Sequence, residues 1–322
     1  MKKFLSCDWG TTSLRLRLFD PLERTIAAVE SGNDGILATY EGWKNAGANA
    51  ETRVEFYRSV LLPYVVRLQA QVKEDLQELP MIISGMASSS IGLSVLPYSR
   101  LPFSLTGEGL QTQHFNRENA FNEILLISGV RSSADVMRGE ETELIGLAEL
   151  DLNTSAGGLY IFPGTHSKHI TVSNKRATAF QTFMTGEVFA LLSEKSILRS
   201  AMHACELTAP GAEAAFKRGV EDAGEHNLLH RIFTLRANEL FGIGSPEENF
   251  YYLSGLLIGY ELSGLHGSAG EEIILCSQGR LNTLYQTALR ILGHEKKTRT
   301  FSAETANIAV AVGQFKIYQN NY

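Results

Sequence analysis

An acidic residue followed by small, hydroxyl-bearing residues lies near the start of the sequence. Asp8 ends an apolar segment, and Gly10, Thr11, Thr12 and Ser13 follow it. Backbone N–H groups and hydroxyls in such a turn could hold phosphate, and a carboxylate beside them could recruit a divalent cation, mainly through water. An ordinary hairpin with a polar turn explains the same residues. The turn alone therefore leaves its chemistry open.

A second turn of the same kind lies at residues 164–167, again after an apolar segment. An internal duplication favours one shared function over two unrelated turns. Glycine lets the backbone approach phosphate closely, and the side chains can donate hydrogen bonds. Phe162 takes the place of Asp8 in the second copy, so only the first is predicted to serve the metal. The predicted phosphate-binding residues are Gly10, Thr11, Thr12, Gly164, Thr165, His166 and Ser167.

The segments around both turns have the pattern of β-strands. Residues 14–18 alternate strictly between leucine and arginine, which is typical of a half-buried strand, and residues 25–30 predict a third strand. Strands alternating with helices predict an α/β fold with a mixed sheet. Further strands are expected at 81–86, 124–129, 168–172, 177–183, 271–276 and 299–301, and helices at 51–79, 139–150, 186–198, 212–218, 226–240, 249–265, 281–292 and 306–318. Pro63 is expected to kink or divide the first of these helices.

The composition is that of a globular protein with room for two domains. The chain has 322 residues, of which 44% are hydrophobic, and a formal net charge of −6, which argues against a nucleic-acid surface. Three widely spaced cysteines without a C-x-x-C pair suit a reducing compartment. With no signal-peptide pattern and no apolar run long enough to span a bilayer, a cytoplasmic protein is expected. The small-residue segment 152–158 predicts domains 1–156 and 157–322.

Two related domains that each begin with such a hairpin resemble the sugar kinase, Hsp70 and actin superfamily. Four segments, 8–15, 128–142, 163–168 and 183–187, together resemble the 2-dehydro-3-deoxygalactonokinase family over nearly the whole chain. The block Asp-Val-Met-Arg-Gly-Glu-Glu-Thr at 135–142 is the most specific of these motifs. The resemblance implies two related ribonuclease H-like α/β domains, with mixed β-sheets flanked by helices and an ATP cleft between them.

The resemblance further implies a kinase that uses ATP and Mg²⁺ to phosphorylate the terminal hydroxyl of a 2-keto-3-deoxy sugar acid, such as 2-dehydro-3-deoxy-D-galactonate, to the 6-phosphate. Such a transfer needs a carboxylate to take the hydroxyl proton. Asp135 is the candidate base, with capping of the following helix as the alternative. Glu140 and Glu141 are weaker candidates that suit the positive end of a helix dipole.

A sugar-acid carboxylate favours a bidentate arginine. Arg15, Arg17, Arg131 and Arg138 are available, and Arg15 and Arg138, which lie inside the family-like motifs, rank first. The other predicted substrate-binding residues are Asn33, Gly35, Ser84, Gly85 and Met86. The loop Ser277, Gln278 and Gly279, between a strand and a helix, is the predicted adenosine loop, in the C-terminal domain with the second turn.

The loop after Met86 departs from the family pattern. Family members carry a Gly-Ser-x-Gln-Gly-Trp type segment there, whereas residues 87–93 read Ala-Ser-Ser-Ser-Ile-Gly-Leu. The natural substrate could therefore differ from the family's. Alternatives are a kinase of another sugar acid, or a phosphatase or nucleotide-switched binding protein on the same fold. The expected partner is a small-molecule sugar acid rather than nucleic acid or membrane, and a homodimer stays open.

Overall fold

A computed structural model describes residues 3–49, 52–118, 121–151, 157–224, 227–267 and 272–321. The strands are β1 Phe4–Trp9, β2 Leu14–Asp20, β3 Thr25–Gly32, β4 Met81–Gly85, β5 Ser99–Arg100, β6 Phe103–Ser104, β7 Thr112–Phe115, β8 Ile124–Ile127, β9 Val130–Arg131, β10 Val136–Met137, β11 Gly158–Phe162, β12 Ser167–Ser173, β13 Arg176–Phe183, β14 Ile273–Leu275 and β15 Thr298–Thr300. The helices are α1 Ile36–Asn45, α2 Arg53–Val72, α3 Glu140–Leu150, α4 Thr185–Lys195, α5 Ala212–Asp222, α6 Leu228–Phe241, α7 Pro246–Leu262, α8 Gly279–Ile291 and α9 Ala303–Asn321.

The first hairpin lies at the centre of a six-stranded sheet with the order β3-β2-β1-β4-β8-β7. Strands β1, β4 and β8 are parallel, and β2, β3 and β7 run antiparallel to their neighbours. Leu14, Leu16 and Leu18 are fully buried in one core with residues of α2. Because side chains alternate along a strand, the arginines of β2 lie on the other face.

Helices α3 and α9 pack against each other very closely. A Cβ atom at Gly146 would lie 1.7 Å from the Ala309 carbonyl oxygen, and one at Gly313 would lie 1.9 Å from that of Thr142. Gln314 of α9 is fully buried, and its Nε2 donates to the Cys7 carbonyl (2.8 Å) and to Ser84 Oγ (2.9 Å). These bonds attach α9 to β1 and β4.

The order of five strands of the first sheet, β3-β2-β1-β4-β8, recurs as β13-β12-β11-β14-β15 in another six-stranded sheet, β15-β14-β11-β12-β13-β6; the sixth strands, β7 and β6, lie at opposite edges. In both sheets the strand before the Gly-Thr turn lies between the strand that follows the turn and a parallel strand, β4 or β14. The topology thus confirms the predicted pair of related α/β domains. A small third sheet has the order β10-β9-β5.

Two compact units divide the chain. The first comprises Met1–Ala156, Val172–Phe180 and Ser302–Tyr322, and the second comprises Gly157–Thr171 and Gln181–Phe301. Segments 172–180 and 302–322, which the sequence assigned to the C-terminal domain, thus group with the first unit. Of the predicted boundary segment 152–158, residues 152–156 lie outside the described residues, as do 51, 226 and 271 at the ends of predicted elements.

The second unit has its own core, in which α5, α7 and α8 contribute Phe216, Tyr251 and Leu284. Across the ranges that the structure describes, no helix is long and apolar enough to cross a membrane.

Three local expectations differ from the structure. Helix α2 is continuous through Pro63, so the proline does not divide it, and the alternative of a kink stays a prediction. Buried residues on both sides of the proline, including Leu61 and Tyr64, hold the helix against the core despite the lost backbone hydrogen bond. Helix α1 and the short strands β5, β6 and β7 were not predicted, because their segments lack a clear apolar period.

Candidate active site

The first turn is held against the start of α1. The Gly10 N–H donates to the Ser13 carbonyl (2.9 Å), which closes the turn. Carbonyl groups of the turn accept hydrogen bonds from the N–H groups of Ile36 (2.9 Å) and Leu37 (3.1 Å). The side chains that remain exposed in the turn are those of Thr11, Thr12 and Ser13.

The loop before α1 packs under this turn. A Cβ atom at Gly35 would lie 2.3 Å from the carbonyl carbon of Thr12, so a larger residue would displace the turn. The indole Nε1 of Trp9 donates to the Asp34 carbonyl (2.8 Å), which ties the loop to β1. Asn33 is exposed and Gly35 is buried. The loop supports the turn, and its predicted contact with the sugar acid remains a prediction.

The face of the sheet that carries Asp8 also carries the two arginines of β2. Asp8 is the register partner of Arg15, which is exposed, whereas Arg17 is 2% exposed. Burial raises the pKa of the Asp8 carboxyl, the charges of Arg17 and Arg15 lower it, and the charge of Glu140 raises it. Asp8 therefore lies within electrostatic reach of both arginines and of the first turn of α3.

Helix α3 begins with a group of acidic side chains. Glu141 is buried, and its carboxylate accepts the Gly139 N–H on both oxygens (3.0 and 2.8 Å). Burial and then the charge of Glu140 raise the pKa of Glu141 to about 7. Burial, followed by the charges of Asp8 and Glu140, raises the pKa of Glu143 to about 8. The sequence identified Glu140 and Glu141 as dipole partners; the proximity of Glu140 and Glu143 to Asp8 could not be read from spacing.

The candidate base Asp135 lies in the turn between β9 and β10. Its N–H donates to Ser132 Oγ (2.9 Å), and its Oδ1 accepts the Val136 N–H (2.7 Å). The N-cap residue of α3 is Gly139, and β10 separates Asp135 from the helix. The alternative of helix capping is therefore wrong. Asp135 is half-buried, and its role as base stays a prediction.

Arg138 is fixed by two neighbours. Its Nη1 donates to Ser88 Oγ (2.6 Å), and its guanidinium carbon lies 4.1 Å from the centre of the Tyr98 ring. A cation held over an aromatic face and hydrogen-bonded at one end has little freedom left to lose on binding an anion. Ser88 belongs to the loop that departs from the family pattern, so the departure reaches this arginine directly.

The predicted substrate loop at the end of β4 lies beside the start of α3. A Cβ atom at Gly139 would lie 3.5 Å from the Cα atom of Gly85. Met86 is half-buried and begins a short 3₁₀ turn, whereas Ser84 is 1% exposed and its hydroxyl accepts the bond from Gln314. The structure thus groups these residues with Arg138, and contact of Ser84 with a substrate is not tested. Gln314, which fixes Ser84, was not identified from the sequence.

The second turn lies against the first residues of α4. The Glu187 N–H donates to the Thr165 carbonyl (3.0 Å), and a Cβ atom at Gly186 would lie 2.5 Å from the Gly164 carbonyl oxygen. The exposed His166 side chain pairs with Glu187 (Nε2 to Oε2, 2.5 Å). Ser167 is fully buried: its Oγ accepts the Gly164 N–H (3.4 Å) and lies 3.0 Å from the Tyr285 hydroxyl.

A cavity of about 290 Å³ opens beside this turn within the second unit. Gly164 and Gly186 form part of its wall, and aromatic side chains of α4 and α7, Phe189 and Phe250, form an apolar part. The Arg280 guanidinium lies 5.3 Å from the centre of the Phe250 ring. A mostly apolar pocket with a few polar groups is typical of a small-molecule site.

The predicted adenosine loop leads directly into the wall of this cavity. Gln278 and Gly279 are exposed, Gly279 begins α8, and Ser277 Oγ lies 3.4 Å from Asn282 Oδ1. The next residue, Arg280, lines the cavity. The structure therefore brings the second turn and the residue that follows the loop to one pocket, whereas the apolar wall from α4 and α7 could not be inferred from local motifs.

Comparison with known proteins decides the family. The model of the 2-keto-3-deoxy-galactonokinase family matches residues 8–312. The chain belongs to this family, which confirms the resemblance seen in the sequence. The 2-dehydro-3-deoxygalactonokinase of Escherichia coli strain K12 is 30% identical over 299 residues, covering 90% of each chain. The family is one of sugar-acid kinases.

Solved structures agree with this assignment. A crystal structure from Sinorhizobium meliloti, provisionally assigned as a 2-dehydro-3-deoxygalactonokinase, has a TM-score of 0.80 at 28% identity, covering 99% of this chain and 97% of its own. The activator of 2-hydroxyisocaproyl-CoA dehydratase from Clostridium difficile, solved with ADPNP, has a TM-score of 0.50 at 9% identity, covering 99% and 95%. The second likeness concerns the fold alone.

Proposed function

We propose that the chain transfers the γ-phosphoryl group of ATP to the terminal hydroxyl of a 2-keto-3-deoxy sugar acid, giving the 6-phosphate and ADP. The name of the E. coli relative makes 2-dehydro-3-deoxy-D-galactonate the first candidate substrate. The proposal depends on one observation above all. Two Gly-Thr turns occupy equivalent positions in two sheets that share the order of five strands, one turn next to Asp8 and the other next to an apolar cavity.

The cavity suits the adenine of ATP. Adenine is flat with apolar faces, and the aromatic side chains Phe189 and Phe250 offer surfaces of the same kind. The backbone of the loop Ser277, Gln278 and Gly279 would lie close to the ribose or the base. The phosphates would then reach the turn of Gly164, Thr165, His166 and Ser167, where the backbone and the exposed side chains of Thr165 and His166 can donate.

Asp8 is the carboxylate that we propose for Mg²⁺ binding. The described residues hold no group of three or more His, Cys, Asp or Glu side chains that could cage a metal ion. Mg²⁺ in kinases needs only one or two carboxylates besides water and phosphate, and oxygen donors of this kind are present in Asp8 and nearby Glu140. Burial mainly raises the pKa of Asp8, and the charge of Glu140 raises it further; a divalent cation would relieve the repulsion between the two carboxylates. When bound, the ion would neutralise phosphate charge.

Arg138 is the preferred partner for the substrate carboxylate. Its contacts with Ser88 and Tyr98 hold the guanidinium in place, as a planar bidentate contact requires. Arg15 is the second candidate because it is exposed beside Asp8. Asn33, Gly35, Ser84, Gly85 and Met86 would complete the sugar side. The preferred stereochemistry of the sugar acid would depend on the loop that carries Ser88, which departs from the family pattern.

Asp135 is the proposed general base for the substrate hydroxyl. The hydrogen bonds of its turn fix the carboxylate at the end of a two-stranded ribbon. Glu140 is the second candidate because its charge acts on Asp8. Loss of a general base typically lowers kcat by about 10²–10⁴-fold with little change in substrate KM.

A coupled ADP-release assay over a panel of sugar acids tests these assignments. We expect turnover that depends on a 2-keto-3-deoxy sugar acid, and a fall in kcat of at least about 10²-fold for Asp135→Asn. Asp20→Asn is the matched control, because Asp20 also accepts backbone N–H groups in a hairpin turn, at Leu22 (2.9 Å) and Glu23 (3.2 Å).

Other outcomes would change the assignment. Full activity in Asp135→Asn would exclude Asp135 as the base, and a fall in kcat for Glu140→Gln with an unchanged dependence on Mg²⁺ concentration would then make Glu140 the base. Phosphate release that no sugar acid accelerates would contradict the kinase and favour a hydrolase.

A further inference from the structure

A carboxylate is buried inside the apolar helix α7, remote in sequence from the predicted site residues. The Glu261 side chain is 1% exposed and the neighbouring His169 side chain is 5% exposed. His169 Nε2 lies 2.9 Å from Glu261 Oε1. The other oxygen, Oε2, accepts hydrogen bonds from the hydroxyl groups of Tyr285 (2.8 Å) and Thr185. Burying a charge is costly unless it is hydrogen-bonded, and these three groups satisfy that need.

The direction of each hydrogen bond follows from the number of protons available. A hydroxyl has one proton, and that of Tyr285 is used on Glu261. Ser167 must therefore donate to Tyr285 (3.0 Å), and the Ser167 oxygen accepts the Gly164 N–H (3.4 Å). A single polarised chain thus runs from the backbone of the second turn to the carboxylate of Glu261.

The same carboxylate also holds the other side of the turn. Thr185 is the first residue of α4, and the next two residues, Gly186 and Glu187, contact the backbone of Gly164 and Thr165. Tyr285 and Thr185 both line the cavity beside the turn. Glu261 therefore joins the strand that leaves the turn to the helix that packs against it.

We infer that Glu261 and Tyr285 are positioning residues that set the shape of the second Gly-Thr turn for nucleotide phosphates. The inference deepens the proposed function and depends on it, since it assumes that this turn holds phosphate. Neither side chain needs to touch phosphate, because Ser167 and Thr185 transmit the geometry. The network fixes the Gly164 amide and the start of α4 before nucleotide arrives, which reduces the ordering that binding would otherwise require.

Tyr285→Phe is the most selective test, because it keeps the ring in the cavity wall and removes only the link between Ser167 and Glu261. The variant loses both hydrogen bonds of the Tyr285 hydroxyl, and we expect the affinity for ATP and ADP to fall by about five- to tenfold while the affinity for adenosine stays unchanged. Calorimetric titration of the full chain with ATP, ADP and adenosine measures this. In this variant the KM for ATP should rise because the affinity for ATP falls, whereas the KM for the sugar acid should stay unchanged.

Tyr252→Phe is the matched control. Its hydroxyl also donates to a carboxylate, Asp222 Oδ2 (2.6 Å), in the same unit but outside the network. We expect this variant to bind all three ligands like the wild type. Equal losses for adenosine and ATP in Tyr285→Phe, or no loss for either, would overturn the inference. If the wild type binds neither adenosine nor ATP, the proposed function fails instead.

Glu261→Gln gives a second, independent reading. The amide nitrogen of glutamine cannot accept hydrogen bonds. The side chain must therefore either lose the hydrogen bonds from Tyr285 and Thr185 or turn its nitrogen toward His169. The second arrangement requires the His169 tautomer with Nε2 unprotonated, which ¹⁵N-NMR of the ring nitrogens can detect. We expect either that tautomer with near-normal ATP affinity or a phosphate-specific loss like that of Tyr285→Phe. An ATP affinity unchanged without the tautomer shift would contradict the network.

Discussion

Glu141 shows how one residue at the start of α3 links stability to pH. Its carboxyl group is buried, and burial together with the charge of Glu140 raises its pKa from the ordinary 4.5 to about 7. Below about pH 4 both the folded and the unfolded chain bind this proton. Between pH 4.5 and 7 the folded chain retains it while the unfolded chain loses it. The stabilising contribution of the proton is therefore lost as the pH rises through 7.

Glu141→Gln should remove this dependence. We expect the free energy of unfolding of the variant, relative to wild type, to rise by about 3 kcal/mol between pH 4.5 and pH 8, at 1.36 kcal/mol per pKa unit. Denaturant unfolding at a series of pH values measures the difference. Glu304→Gln, in the exposed first turn of α9, is the control and should give a profile parallel to wild type. A parallel profile for Glu141→Gln would contradict the raised pKa.

The arginines of β2 show what residue-scale sequence reasoning could and could not reach. Strict alternation with leucine correctly predicts that Arg15 and Arg17 share a face. It does not reveal which of them is exposed, because burial depends on segments that are distant in the sequence, such as α3, whose Glu143 acts on the charge of Arg17. The structure buries Arg17, whose Nε and Nη1 have no hydrogen-bond partner among the described residues, and leaves Arg15 exposed.

At the scale of elements, the sequence identifies strands and helices with a clear period and misses short ones. The two strand–turn–strand units, β4, β8 and α3 lie where the pattern predicts them, within a few residues. The grouping of Arg138 with the end of β4 follows from the fold. The apolar cavity in the second unit and the role of Gln314 could not be predicted, because each depends on contacts between segments far apart in the chain.

The crossing of α3 and α9 is the element-scale feature most sensitive to substitution. Since a Cβ atom at Gly313 would lie 1.9 Å from the Thr142 carbonyl oxygen, Gly313→Ala must push the helices apart. We expect a loss of about 3 kcal/mol in unfolding free energy, the upper range for overpacking, measured by denaturant unfolding. The control is Gly224→Ala, where a Cβ atom would meet nothing within 4 Å. Equal stability of the two variants would contradict a close crossing.

At the scale of the whole molecule, the first unit is completed by the last helix of the chain. Segment 302–322 belongs to this unit, and Gln314 hydrogen-bonds β1 and Ser84 at the end of β4. Ala309, Gly313 and Ile317 are buried, so α9 forms part of the core of this unit. A division into two consecutive halves, as the small-residue segment 152–158 suggests, would leave the first half without that helix.

Deletion of residues 302–322 should therefore destabilise the first unit selectively. We expect hydrogen–deuterium exchange of the shortened chain to show lost amide protection in β1, β4 and α3, because the face that α9 covers becomes exposed to water. Protection in β11, β14 and α7 of the second unit should persist, since their core is formed by other residues. Adding a synthetic peptide of residues 302–322 should restore protection in the first unit, whereas the same peptide carrying Gly313→Val should not. Protection lost equally in both units, or retained in both, would show that α9 does not serve the first unit in particular.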